Sequence, residues 1–270
     1  MSGRILMVGK VEVRKAPVVN ASGEVVGEVV LPPVFSVPVR KDLIRRAFLA
    51  AFTSRLQPKG RNPLAGKRRV GESWGIGHSV ARVPRLSNAR AILAPMVRGG
   101  RLAHPPKIEE VVKERVNKKE RLLALASAIA ATGELQLVKL RGHLFERDTL
   151  PIIVDDDVFK VSRTGEARKV LATLGVLADV VRASERTRIR AGKGKMRGRK
   201  YVTPKSILIV VHGDAGGVYR AFRNLPGIDV VPVKLLSVLH LAPGGCPGRL
   251  TVYTKSAVEE LGRRFEVMTP

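Results

Sequence analysis

Several short stretches carry residue types that could do chemistry. "GRNPLAGKR", Gly60 to Arg68, ends like a loop that wraps nucleotide phosphates. Five residues separate Gly60 from Gly66, one too many for that loop, and Arg68 follows Lys67 where a metal-binding Ser or Thr is required. Nucleotide hydrolysis there is rejected. "VVHGDAGGVYRAF", Val210 to Phe222, has the look of a strand–turn–helix nucleotide site, but its glycine fingerprint is incomplete and tight packing of the turn is the better reading. Asp155, Asp156 and Asp157 follow an apolar run, where enzymes often place carboxylates. Three adjacent residues cannot all converge on one metal, so they are read as caps of the following turn. Cys246, in "APGGCPGRL", has no activating base in the sequence and reads as a loop thiol, and the histidines lack metal-ligand spacing. No catalytic constellation, metal site or cofactor site is expected.

The chemistry that remains is charge. The chain of 270 residues holds 49 Lys and Arg against 23 Asp and Glu, a formal net charge of +26. Self-repulsion on that scale calls for a polyanionic partner, nucleic acid first and an anionic membrane surface second. The longest nearly unbroken apolar run, Leu122 to Ala131, is too short to span a bilayer, and the apolar stretch in "MSGRILMVGK" is too short for a secretory signal. One cysteine excludes an internal disulfide. A reducing compartment and no membrane partner are therefore expected.

The charge is concentrated. Arg55 to Lys107 holds 12 Lys and Arg with one acid, Glu72; Arg182 to Lys205 holds 10 with one acid, Glu185. These two stretches account for +20 of the +26, and the rest is nearly balanced, like an ordinary folded body.

That body alternates between strand and helix patterns. Ile5–Val8 and Val25–Leu31 read as strands, with "NASGE" as the turn before the second. Leu43/Ile44, Ala47/Phe48, Ala51/Phe52 and Leu56 share one helix face, and Ile108, Val111/Val112, Val116, Leu123, Ala126 and Ala130 predict a second helix beginning near Pro106. "LPIIV" is a buried strand, followed by helices over Glu166–Leu174 and Leu177–Arg186 and a central strand "SILIVV". A helix over Gly216–Asn224, the strand "IDVVPV", a brief helix at Leu235–His240, the strand "RLTVYT" and a terminal helix complete the order. The alternation predicts one α/β layered, Rossmann-like domain with a mostly parallel central sheet.

The first basic stretch, 59–106, is expected to be a long extended internal loop, and 186–205 a second basic loop. The first contains seven glycines and five prolines, with its apolar residues scattered. Ordering it costs about 1–2 kcal/mol per residue in backbone entropy, and no core of its own offsets that. Phosphates can, because Lys and Arg displace counterions from them, and Trp74 offers a face for base stacking. The competing reading is a basic loop that binds polyanions without taking a shape.

Three motifs add a family resemblance. "ESWGIGHSVARVPRL", "MVRGGRLAHPPK" and "RTRIRAGKGKMRGRKY" resemble the large-subunit ribosomal protein L-four family in its archaeal and eukaryotic form. The chain ends soon after its terminal helix, without the long basic extension of eukaryotic members, which points to the archaeal type. The resemblance implies a non-enzymatic structural protein of the cytoplasmic ribosome that helps fold large-subunit rRNA. It also implies a loop tip lining the peptide exit tunnel, beside ribosomal protein L-twenty-two and the nascent peptide. Carried over, Trp74, Gly75, Ile76, Gly77 and His78 are the tunnel-facing tip. Arg61, Lys67, Arg68, Arg69, Arg82, Arg85, Arg90, Arg98, Arg101 and Lys107 contact RNA along the arms. In the second stretch Arg186, Arg188, Arg190, Lys193, Lys195, Arg197, Arg199 and Lys200 do the same. Relatives often carry Arg where this chain has His78, so the constriction would be less positive here. The rival class is an RNA-modifying enzyme with a nucleotide cofactor, which needs a fingerprint and an acid–base pair that the sequence lacks. Regulatory binding to an rRNA-like message is compatible with the structural role.

Overall fold

The computed structural model describes residues 3–6, 13–213 and 216–268. The chain divides into two compact units, one of residues 1–52 and 115–270 and one of residues 53–114.

The larger unit is built on a six-stranded sheet. Its strands are β2 (Lys15–Val19), β3 (Val25–Val30), β4 (Ile152–Val154), β7 (Leu208–Val211), β8 (Asp229–Pro232) and β9 (Thr251–Thr254), in the spatial order β3-β2-β4-β9-β7-β8. Only the edge pair β2–β3 is antiparallel, as the "NASGE" turn requires; every other pair is parallel. The remaining strands are β1 (Gly3–Leu6), which runs parallel to β10 (Phe265–Met268), and the short pair β5 (Arg188–Ile189) and β6 (Tyr201–Val202). Of the predicted strand Ile5–Val8, Met7 and Val8 lie outside the described residues.

Successive side chains of a strand point to opposite faces, and the sheet uses both. Ile153, Leu208, Val210, Val231 and Tyr253 enter one core; Ile152, Val154, Ile209, Val230 and Val252 enter the other. The first core is covered by α1 (Lys41–Thr53), α2 (Lys118–Ala130), α7 (Val238–Leu241) and α8 (Lys255–Arg264). The second is covered by α3 (Leu135–Leu140), α4 (Thr164–Thr173), α5 (Leu177–Glu185) and α6 (Gly216–Phe222). A parallel sheet with helices on both faces explains the continuous β-branched runs of its strands. The α/β layered expectation holds.

Four details differ from the sequence reading. The second helix begins at Lys118, not near Pro106, because Ile108 and Val111 are exposed and find nothing to bury them; an amphipathic pattern sustains a helix only when its face is covered. From Ala124 to Ala130 that helix is buried on every side, and its run of small residues lets neighbours approach closely. Strand β2 contains Pro17, which argues against a strand, yet Ala16, Val18 and Val19 find a core on each face. "SILIVV" forms a strand buried on both faces but next to the sheet edge, with β4 and β9 at the centre.

Where α3 gives way to the following loop, His143 is buried with Nδ1 2.9 Å from Asp179 Oδ2, and Asp179 also accepts from Arg182 Nε and the Leu144 N–H. Burial pushes His143 below the ordinary histidine range, against the pull of Asp179. Burial alone would raise Asp179, but donors from His143 and Arg182 prevail and hold it below the usual carboxylate range. Folded His143 stays neutral to lower pH than in the unfolded chain, which takes up a proton as pH falls through about 6.5. The stability it contributes is whole above that pH and lost below it, and Asp179 adds its own loss only at lower pH. The unfolding free energy from urea titration is expected to fall between pH 7 and pH 5, by up to about 1.4 kcal/mol per pH unit, and His143→Gln should remove that part of the fall. An unchanged slope in the variant would assign the titration elsewhere.

Candidate nucleic-acid interface

The smaller unit, 53–114, has few side chains to pack, and its shape comes from backbone meeting backbone. The two arms are tied where the Arg61 N–H donates to Pro106 O at 3.1 Å. A Cβ on Gly66 would run into Gly100 O, one on Gly100 into Ala94 O, and one on Gly71 into Arg85 O and Ile92. Only glycine permits these approaches. Arg85 N–H donates to Glu72 O at 2.9 Å and Ile92 N–H to Pro84 O at 2.8 Å, and Ile92 is buried. The expectation that the segment has no packing of its own is therefore corrected. Composition counts side chains and overlooks contacts made by bare backbone.

Most of the predicted RNA-contacting residues here are exposed: Arg61, Lys67, Arg68, Arg69, Arg82, Arg90, Arg98 and Lys107, with Arg101 half-buried. Among the described residues none of them is ion-paired to a carboxylate. Arg68, Arg69, Arg90 and Arg98 line one cleft of about 300 Å³ together with Gly66, Ile92 and Gly99, and no acid lines it. Four guanidinium groups around one opening repel one another unless an anion sits among them. Arg85 differs from the expectation. Its Nη1 donates to Ala89 O at 2.7 Å and its Nη2 to Ala81 O at 3.3 Å, so it braces the turn from inside.

The five tip residues, Trp74 to His78, are all exposed. Gly75 and Gly77 hold φ of +80° and +91° with open space beside them, so their role is the turn itself. Trp74 packs edge-on against His78, ring centroids 5.8 Å apart, and Ile76 between them is 83% exposed.

The second basic stretch is a hairpin on the larger unit. β5 and β6 pair through Arg188↔Val202 and Ile189↔Tyr201, a short 3₁₀ turn spans Lys193–Arg197, and Gly198 closes it in the left-handed conformation. Arg186, Arg188, Lys193, Lys195, Arg197, Arg199 and Lys200 are exposed. Arg190 is the exception, its Nε donating to Arg199 O at 2.9 Å, again an inward brace. Sequence reasoning passed over Tyr201, which is 59% exposed beneath the Lys200 ammonium at 5.4 Å and supplies this hairpin with a stacking face. An aromatic at the end of a Gly- and Lys-rich run was the available signal.

The remaining motifs resolve simply. Asp155 caps the turn it precedes by accepting from the Asp156 N–H, as expected. In "VVHGDAGGVYRAF" Asp214 and Ala215 lie outside the described residues. A Cβ on Gly213 or Gly217 would meet nothing within 4 Å, so the tight packing expected there is corrected: Gly213 serves its φ of +71° instead. Cys246 is an exposed thiol. Among the described residues no group of three or more His, Cys, Asp or Glu could hold a metal, and no helix is long and apolar enough to cross a membrane.

Comparison with known proteins agrees with this arrangement. The chain is 56% identical over 256 residues to the large ribosomal subunit protein uL4 of Aeropyrum pernix, covering 94% of each. It is 55% identical to that of Methanocaldococcus jannaschii, covering 93% of this chain and 100% of the relative. It is 52% identical to that of Sulfurisphaera tokodaii, covering 95% and 97%. The family model described as the Ribosomal protein L4/L1 family matches residues 29–264, so a nearly neutral α/β body bearing two basic segments belongs to that family.

Proposed function

We infer that the chain is a structural, non-enzymatic constituent of the large ribosomal subunit in the cytoplasm, and that it binds and helps fold large-subunit rRNA. The single observation that carries the reading is the set of exposed cations on 59–106 and 186–200 with no carboxylate partner among the described residues; Lys205, which pairs with Asp229, lies just beyond them. In this reading residues 59–106 thread among rRNA strands, and the arginine cleft of Arg68, Arg69, Arg90 and Arg98 seats backbone phosphates. Residues 186–205 make a second contact. The tip, Trp74 to His78, lines the peptide exit tunnel beside L-twenty-two and faces the nascent peptide, an assignment supported by the motifs shared with the family.

Deleting Lys59 to Pro105 and joining the arms with a short Gly-Ser linker tests the division of labour. The larger unit has its own two cores, so its thermal midpoint is expected to stay within a few degrees of that of the full chain. Incorporation into reconstituted subunits, scored by nuclease footprint, is expected to fall by at least tenfold. A variant that unfolds shows the segment to be part of the body's stability; one that incorporates normally shows that it does not anchor the protein.

A further inference from the structure

A second cleft, about 650 Å³, opens on the larger unit and is lined by none of the residues named as RNA contacts above. Its walls are apolar: Leu137 and Leu140 from α3 on one side, Pro243 and Pro247 on the other. Leu140 is 80% exposed, unusual for a leucine with no protein covering it. The opening is held in shape. Arg141 donates to the carbonyls of Cys246 and Pro243, and Gly248, at φ +88°, packs directly on the backbone of Leu137. His143, with Nδ1 committed to Asp179, also lines it.

The rim is basic. Lys41, Arg141, Arg182 and Lys205 line the cleft and no carboxylate does. Asp179 and Asp229 stand behind Arg182 and Lys205, leaving the rim net positive. Arg182 and Lys205 also bracket the basic hairpin: the Arg182 Nη2 donates to Lys205 O at 3.2 Å and closes its base. A polynucleotide following the hairpin thus passes the mouth of the cleft.

We propose that this cleft receives one unpaired nucleotide of the bound RNA. Its base lies between the Leu and Pro walls and its flanking phosphates lie on Lys41 and Lys205. The inference rests on the reading of the chain as an RNA-binding protein and adds a specific seat for a base. Unpaired RNA bases splay out of the stack and are held by apolar or aromatic surfaces, and a cleft of this volume is of ligand size. Apolar walls alone would suit a protein segment equally well; the four cations and the adjoining hairpin favour RNA.

Cys246, the chain's only cysteine, lines the cleft and is exposed, so its alkylation by iodoacetamide reports occupancy. The full chain is mixed with an archaeal large-subunit rRNA transcript, with heparin as a polyanion lacking bases, or with neither. Filter retention measures binding in parallel. A bound base should slow alkylation about tenfold or more, while saturating heparin leaves it unchanged. Leu140→Asp, at an exposed position, should leave the fold intact, restore the free alkylation rate and weaken retention of the transcript about tenfold, equivalent to about 1.4 kcal/mol. Retention without protection overturns the seat and leaves RNA binding standing, whereas absence of retention overturns RNA binding itself. Equal protection by heparin reduces the cleft to a phosphate contact. Protection seen only in whole subunits assigns it to a neighbouring protein.

Discussion

Replacing Arg186, Arg188, Lys193, Lys195, Arg197, Arg199 and Lys200 by glutamine is expected to flatten the salt dependence of rRNA binding. These cations are exposed on a hairpin held by its own backbone, and Arg190, the one turned inward, is left in place. The hairpin should therefore keep its shape while losing its charge. Each phosphate neutralised contributes about −0.9 to the slope of log K against log salt on duplex and about −0.7 on single strands. If all seven touch phosphate, the slope should become shallower by about 5–6. Affinity should then fall by several orders of magnitude at low salt and much less at high salt. Filter binding from about 50 to 500 mM KCl gives both quantities. A uniform loss with the slope unchanged would mean that the hairpin works through base contacts such as stacking on Tyr201, and no loss would remove it from the interface. Tyr201→Ala made separately distinguishes the two: it should lower affinity without moving the slope.

How much of this was readable beforehand depends on what carries each feature. α4 and α5 were legible because burial of one face leaves a period in the side chains, β7 because burial of both faces leaves an unbroken apolar run, and "NASGE" because Asn20 and Gly23 mark a turn. Both basic segments were legible because charge density survives without any structure. The stretch from Ile108 to Val116 misled for the complementary reason: it has the helical period, but Ile108 and Val111 stay exposed, and period alone does not stabilise a helix. The packing of 53–114 left no trace in hydrophobicity because Gly66, Gly71 and Gly100 make it with backbone.

Within the interface, the residue types were legible and their directions were not. Arg85 and Arg90 are equivalent in sequence, yet one braces carbonyls and the other joins Arg68, Arg69 and Arg98 around a cleft assembled from separate stretches of chain. Which arginine turns inward depends on where unsatisfied carbonyls fall once the turns have formed. The apolar cleft was invisible for a similar reason, since Leu137, Pro204 and Pro243 come together only after the sheet has folded.

Arg249→Ala is expected to destabilise the larger unit by about 3–5 kcal/mol, without removing any surface cation. Arg249 is fully buried where β7, β8 and β9 begin. Its Nε donates to Ser206 O at 2.8 Å and its Nη1 to His240 O at 2.8 Å; its Nη2 reaches Gly227 O at 3.1 Å, Ile207 O at 3.2 Å and Asp229 Oδ2 at 2.7 Å. Burial pulls the guanidinium down, yet Asp229 offsets it and the side chain stays charged. Alanine takes one donor from each of four carbonyls, of which Gly227 O and Ile207 O still accept from backbone N–H groups, and leaves Asp229 with the half-exposed Lys205. The urea midpoint should drop with the m-value unchanged. Adding Asp229→Asn should recover about 1–3 kcal/mol of the loss, because the stranded charge goes with it. Strict additivity would mean that the carbonyls, not the ion pair, hold the site together. Either way rRNA binding should weaken in parallel. Ser206 and Ile207 directly follow the basic hairpin, so the buried arginine that fixes them also fixes the base from which that hairpin projects.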